Sequence, residues 1–159
     1  MTKVLWILNK YVTGNNDERY YPEFLFHLQD ELSKVDIQLH FILFSDQMKI
    51  KNEKPFKYLH YYRAENYDNI SSKQLDLEAN RIESEYEFTF KQAWFPEILQ
   101  ISKHQNNRKI GVPEAELNDL GPLVKKFLFL ENVISKEKIF VIFSDVSPEA
   151  EMEFGRAIG

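Results

Sequence analysis

Val4-Leu5-Trp6-Ile7-Leu8 is an unbroken apolar run that stops at Asn9-Lys10. A strand with one wet face alternates apolar and polar residues. An unbroken run implies a strand covered on both sides, as in a parallel sheet layered between helices. The run is too short for a signal-sequence core or a membrane span, and nothing later in the chain approaches one. Far down the chain Ile139-Phe140-Val141-Ile142-Phe143 repeats the pattern and ends in Ser144-Asp145-Val146-Ser147. These two runs set the fold class as α/β.

The elements between them fill in the architecture. After the first run and the polar stretch Thr13-Gly14-Asn15-Asn16-Asp17, residues Tyr21, Phe24, Leu25, Leu28 and Leu32 recur at helical spacing. Pro22 falls in that helix's first turn, where its missing N–H costs nothing. A second strand is predicted from Ile37 to Phe44 and a third, weaker one from Tyr58 to Arg63. The chain from Ser71 to Ile134 reads as mainly helical. One helix is predicted from Asp76 to Phe95, with Ile82, Tyr86, Phe90 and Ala93 on one side and a break at Pro96. A further helix starts near Gly121-Pro122, its inner face formed by Leu120, Val124, Phe127, Leu130 and Ile134. After the fourth strand, Ser147 suits an N-cap, Pro148 a first helical residue, and Glu149 and Glu151 the positive end of the helix dipole. Ala150, Phe154, Ala157 and Ile158 give that last helix its apolar face.

Connection lengths order the strands. Short links carry the sheet outward from the first strand to the third, and the long helical excursion returns the chain to the first strand's other side. The expected fold is therefore a Rossmann-like, open, mostly parallel sheet of about four strands in the order 3-2-1-4, flanked by helices, with residues 1–159 as a single domain. A last helix in such a fold normally feeds another parallel strand, so the chain is expected to be the front part of a longer protein. Its termination on a capped helix is the competing reading.

Open α/β sheets bind ligands at the carboxyl ends of the strands where their order reverses, here between the first and fourth strands. Two loops border that point. One supplies Asn9, Lys10, Thr13, Gly14, Asn15, Asn16 and Asp17; the other supplies Ser144, Asp145, Ser147 and Glu149. Amides, hydroxyls and a carboxylate are the groups that recognise polyhydroxylated ligands, and Gly14 would let backbone approach one closely. The same residues are also ordinary turn formers.

Several chemistries are excluded or disfavoured. The absence of cysteine removes disulfides, thiolate metal sites and a cysteine nucleophile, and fits a reducing cytoplasm. The loop after the first strand lacks both G-x-G-x-x-G and G-x-x-x-x-G-K-[ST], so no nucleotide or other cofactor is called for. A net charge of −5 argues against nucleic acid. Lys49, Lys51, Lys54 and Lys57, diluted by Glu53, read as a solvated loop rather than an anionic-surface contact. His27, His40, His60 and His104 show no metal-ligand spacing; His27 and His40 read as packing residues and His104 as a surface one. Ser144 and Ser147 follow a strand as a nucleophile would, but helix capping accounts for them and no G-x-S-x-G elbow exists. Glu83, Glu85 and Glu87 alternate along a helix and splay apart. Tyr20-Tyr21, Tyr61-Tyr62 and the group Phe88, Phe90, Trp94 and Phe95 have the stacking surfaces that sugar rings use, though core packing explains most of them.

Val4 to Asn9 with its glycine-containing loop and the Tyr21 to Leu32 helix resembles the start of a GT-B glycosyltransferase. Glu131 to Asp145, followed by Glu149 to Ile158, resembles a later unit of the same amino-terminal domain. Phe88-Thr-Phe-Lys-Gln-Ala-Trp-Phe-Pro96 is similar to capsular polysaccharide biosynthesis proteins in particular. The likeness covers about two thirds of the chain, and its motifs are shared by many Rossmann-like domains. It implies the acceptor-binding half of a transferase acting in surface polysaccharide assembly, free in the cytoplasm or peripheral to the inner face of the membrane. The partners it implies are a sugar or glycan acceptor and a nucleotide-sugar donor held mainly by a carboxyl-terminal domain. The isolated chain is then expected to be inactive, with Asp17 and Asp145 as candidate catalytic bases. The alternative is a stand-alone Rossmann-like or flavodoxin-like binding module without chemistry. A receiver-like signalling domain fits less well, because Asn9-Lys10 stands where a magnesium-binding carboxylate pair would be needed.

Overall fold

The computed structural model describes residues 1–8, 18–19, 24–44, 49–50, 56–93, 119–144 and 150–159. Its central sheet contains β1 (Thr2–Ile7), β3 (Ile37–Leu43), β5 (Leu59–Tyr61) and β6 (Val141–Phe143), in the order β5-β3-β1-β6. Every pairing is parallel: Val4 stands opposite Leu39 and Val141, and Phe41 opposite Leu59. This is the 3-2-1-4 order expected from the connection lengths. Two further short strands, β2 (Glu18–Arg19) and β4 (Lys49–Ile50), pair in parallel with each other as a separate ribbon that the sequence reading did not anticipate.

Helices cover both faces, which is why β1 carries no polar alternation. On one face Val4 and Leu8 join Leu39, Phe41 and Leu43 against Leu25 of α1 (Phe24–Lys34). On the other, Leu5, Ile7, Ile42 and Phe44 meet α2 (Ser72–Glu85), α3 (Gly121–Glu137) and α4 (Ala150–Ile158). The second core is dominated by aromatic rings. Phe127 packs edge-on to Phe90 and Phe154, and Phe88 stacks on Phe127 with ring centroids 5.4 Å apart. Edge-to-face and offset contacts of this kind add to the area these rings bury.

Local chemistry sets the helix boundaries. Ser71 and Gln74 form a reciprocal capping box at the start of α2. The single helix expected from Asp76 to Phe95 is instead broken: α2 ends at Glu85, Glu87 adopts a left-handed φ of 54°, and a new helical turn begins at residue 90. Side-chain acceptors drive the restart. Glu83 accepts from the Phe90 N–H at 2.8 Å, and the Thr89 hydroxyl accepts from the Gln92 N–H at 3.2 Å. Ile82, Phe90 and Ala93 still reach the core across the break. Arg81 then ties α2 to α3 through paired hydrogen bonds to Glu131, which also accepts from the Tyr86 hydroxyl at 2.8 Å.

The expectation of a doubly covered fourth strand holds only in part. Phe140 is 82% exposed and Phe143 54% exposed, and among the described residues β6 pairs only with β1. The run is apolar throughout, but its place at the sheet edge leaves the side shared with Trp6 open to solvent.

Candidate functional site

The sheet order reverses between β1 and β6, whose carboxyl ends reach Leu8 and Ser144 side by side. A glycine brings the covering helix down onto this point. A Cβ on Gly155 of α4 would fall 2.5 Å from Ile7 Cδ1 and 3.1 Å from Ser144 Cβ, so the helix backbone packs closely on the side chains at the two strand ends. Ser144 is half-buried beneath that contact, as a packing residue at the rim. The other candidate binding residues, Asn9, Lys10, Thr13, Gly14, Asn15, Asn16, Ser147 and Glu149, and the candidate bases Asp17 and Asp145, lie outside the described residues.

Glu151 lies in the first turn of α4, as expected, and has a second partner there. It is 4% exposed and forms an ion pair with Lys126 of α3. The helix start favours its charge and the lysine neutralises it, both of which a buried carboxylate needs. Periodicity gave no sign of this, because only the packing of α3 on α4 brings the two residues together.

At the opposite pole of the sheet, the parallel register of β3 and β5 brings two histidines into contact. His40 Nδ1 lies 3.0 Å from His60 Nε2, the rings are parallel within 2°, and Tyr58 stacks on His40 at 4.8 Å. His40 is buried, as expected of a packing residue, whereas His27 is exposed on α1, contrary to that expectation. The His40 Nε2 atom is buried with no hydrogen-bond partner among the described residues. Burial, and then the neighbouring His60, pull the His40 pKa down to about 4. Burial also lowers that of His60, against the opposing pull of Glu137. Both rings are therefore neutral near pH 7, and one shares its proton with the other. Among the described residues no group of three His, Asp or Glu side chains is arranged to hold a metal ion. Lys57, from the basic stretch, is taken up by Asp30 at 2.8 Å.

On the side of α4 away from the sheet lies a cleft of about 410 Å³. It runs between the turn that breaks α2 and the outer face of α4, and it draws on Phe88, Thr89, Gln92 and Ala93. Of the other aromatic candidates, Tyr62 is buried in the core, and Tyr20, Tyr21, Trp94 and Phe95 lie outside the described residues. No helix among the described residues is long and apolar enough to cross a membrane.

The chain matches no family model, no curated protein and no solved structure.

Proposed function

We propose that this chain is the acceptor-binding, amino-terminal domain of a glycosyltransferase that assembles surface or capsular polysaccharide. The observation that carries the reading is the adjacency of β1 and β6 at the reversal of strand order. Two segments dense in Asn, Thr, Ser and Asp leave those neighbouring strand ends. Ligands of open α/β sheets bind at such a point, and the side chains available there hydrogen-bond hydroxyl groups well. Neither segment has a glycine-rich phosphate cradle, which agrees with a nucleotide-sugar donor held by a second domain. In that division of labour Asp17 or Asp145 would accept the proton of the acceptor hydroxyl, a step that requires hydrogen-bond reach to it.

The test is a titration of the protein with maltotriose, chitotriose and sialyllactose, with UDP-glucose alongside. Asn9→Ala and Asp145→Ala are expected to weaken oligosaccharide binding by about tenfold or more while leaving Tm nearly unchanged. UDP-glucose is expected not to bind. Tight UDP-glucose binding, unchanged oligosaccharide affinity in both variants, or a large drop in Tm would each overturn the reading.

A further inference from the structure

The cleft outside α4 has a composition that the switch-point reading does not use. Its lining divides by chemistry into an apolar set, Phe88, Ala93 and Ala157 beside the ring of Tyr86, taken as the floor, and a polar set, Glu87, Thr89, Gln92, Glu153 and Arg156, taken as the rim. Phe88 stacks on Phe127 at 5.4 Å and meets Phe90 edge-on at 5.2 Å, so the core holds the floor ring in place. The rim is also ordered. The Arg156 Nε donates to Glu153 at 3.1 Å, and the Thr89 hydroxyl is fixed by the Gln92 N–H. The left-handed turn at Glu87 separates α2 from the next helical turn and forms one wall of the cleft.

A volume of about 410 Å³ falls within the roughly 300–1,000 Å³ of small-molecule sites. The lining chemistry narrows the ligand class. Two carboxylates stand against one guanidinium, which is already paired with Glu153, so the rim offers no basic surplus for a phosphate. Glu87 and Glu153 do not belong to any metal-competent cluster among the described residues. What remains is an aromatic and methyl floor bordered by planar amide, carboxylate and guanidinium groups. The apolar C–H face of a pyranose packs on such a floor, and its ring hydroxyls bond to such a rim.

We infer that this cleft is a binding subsite for an uncharged sugar ring, separate from the switch point and on the opposite side of α4. It gives a role to the described part of the Phe88-to-Pro96 stretch, which core packing explains only in part: Phe90 is wholly buried, whereas Thr89 and Gln92 line the cleft. The subsite stands on its own lining and does not require the transferase reading.

The test is an amide-resolved NMR titration of the whole chain with galactose and N-acetylglucosamine, using galactose phosphate as the anionic comparison. Saturable shifts are expected at residues 86–93 and 153–157, with galactose phosphate binding more weakly than galactose. Gln92→Ala, at an exposed position, is expected to weaken binding by about three- to tenfold, the loss of one hydrogen bond. Ala157→Leu should abolish binding by filling the floor, with unchanged signals from Phe127 and Phe154 reporting an intact core. No shifts in the cleft with either sugar up to about 50 mM, unchanged affinity in Gln92→Ala, or tighter binding of galactose phosphate would overturn the inference. Shifts confined to residues 9–17 and 145–149 would overturn it while leaving the proposed function standing.

Discussion

Acidification should destabilise this protein through His40 well before carboxylates dominate its titration. In the folded chain His40 is held at about 4, against 6.5 for an unburied imidazole. Burial is the main cause and the neighbouring His60 the second, and the contact between the rings limits where a further proton can go. If His40 donates from Nδ1 to His60, a further proton on His40 must go to Nε2, which is buried without a partner among the described residues. If His60 is the donor, His40 Nε2 already carries its hydrogen, and the added charge falls on His60. Glu137 favours a positive charge on the pair, but burial outweighs it, and Lys3 of β1 and Lys136 of α3 add smaller opposing contributions. Between pH 6.5 and 4 the unfolded chain thus binds more protons than the folded one, so stability falls as pH falls. At about 1.4 kcal/mol per pH unit, His40 alone accounts for about 3 kcal/mol across that window, of which about 2 kcal/mol is lost by pH 5. His60 acts in the same direction. Urea unfolding at pH 7, 6 and 5 for the parent and for His40→Leu isolates the effect, because the variant keeps every other titrating group. The parent should lose about 2 kcal/mol more than the variant between pH 7 and 5. Equal pH dependence in the two proteins, or a His40 imidazole signal titrating near 6.5 in the folded state, would refute the reasoning.

Two other perturbations test the packing around the switch point. Gly155→Ala should cost about 1–3 kcal/mol by denaturant unfolding, since its methyl would overlap the buried Ile7 side chain; adding Ile7→Val should recover part of that loss. Lys126→Met should cost about 2–3 kcal/mol by removing the ammonium that pairs with the buried Glu151 carboxylate, and a smaller loss is expected when Glu151→Leu is combined with it.

The strand order was legible because it depends on coarse features: two unbroken apolar runs, and short links on one side of a long helical excursion. Local signals did less well wherever a tertiary contact decided the outcome. The segment from Asp76 to Phe95 contains no Gly or Pro to announce a break, yet Glu83 and Thr89 supply the acceptors that end one helix and begin another. An apolar run shows how a strand can be covered, not whether it is, so Val141 and Phe143 read like Leu5 and Ile7 until the edge position is known. The His40–His60 contact spans 20 residues and depends on the register of two parallel strands, which no spacing rule within the sequence specifies. Glu151 is similar, since its lysine partner lies 25 residues earlier on another helix. The adjacency of β1 and β6 was legible from the connection lengths, whereas the candidate ligand loops that follow them lie outside the described residues.

The contact at Gly155 also has a mechanical meaning. At that point only the side chains of Ile7, Ser144 and Ile142 separate the α4 backbone from the strand ends, because residue 155 contributes none of its own. The helix therefore has two working sides: one bears on the tips of β1 and β6, and the other forms a wall of the outer cleft. Moving α4 outward to admit a larger residue at 155 would carry Glu153 and Arg156 with it, so a change at the strand tips reaches the outer cleft.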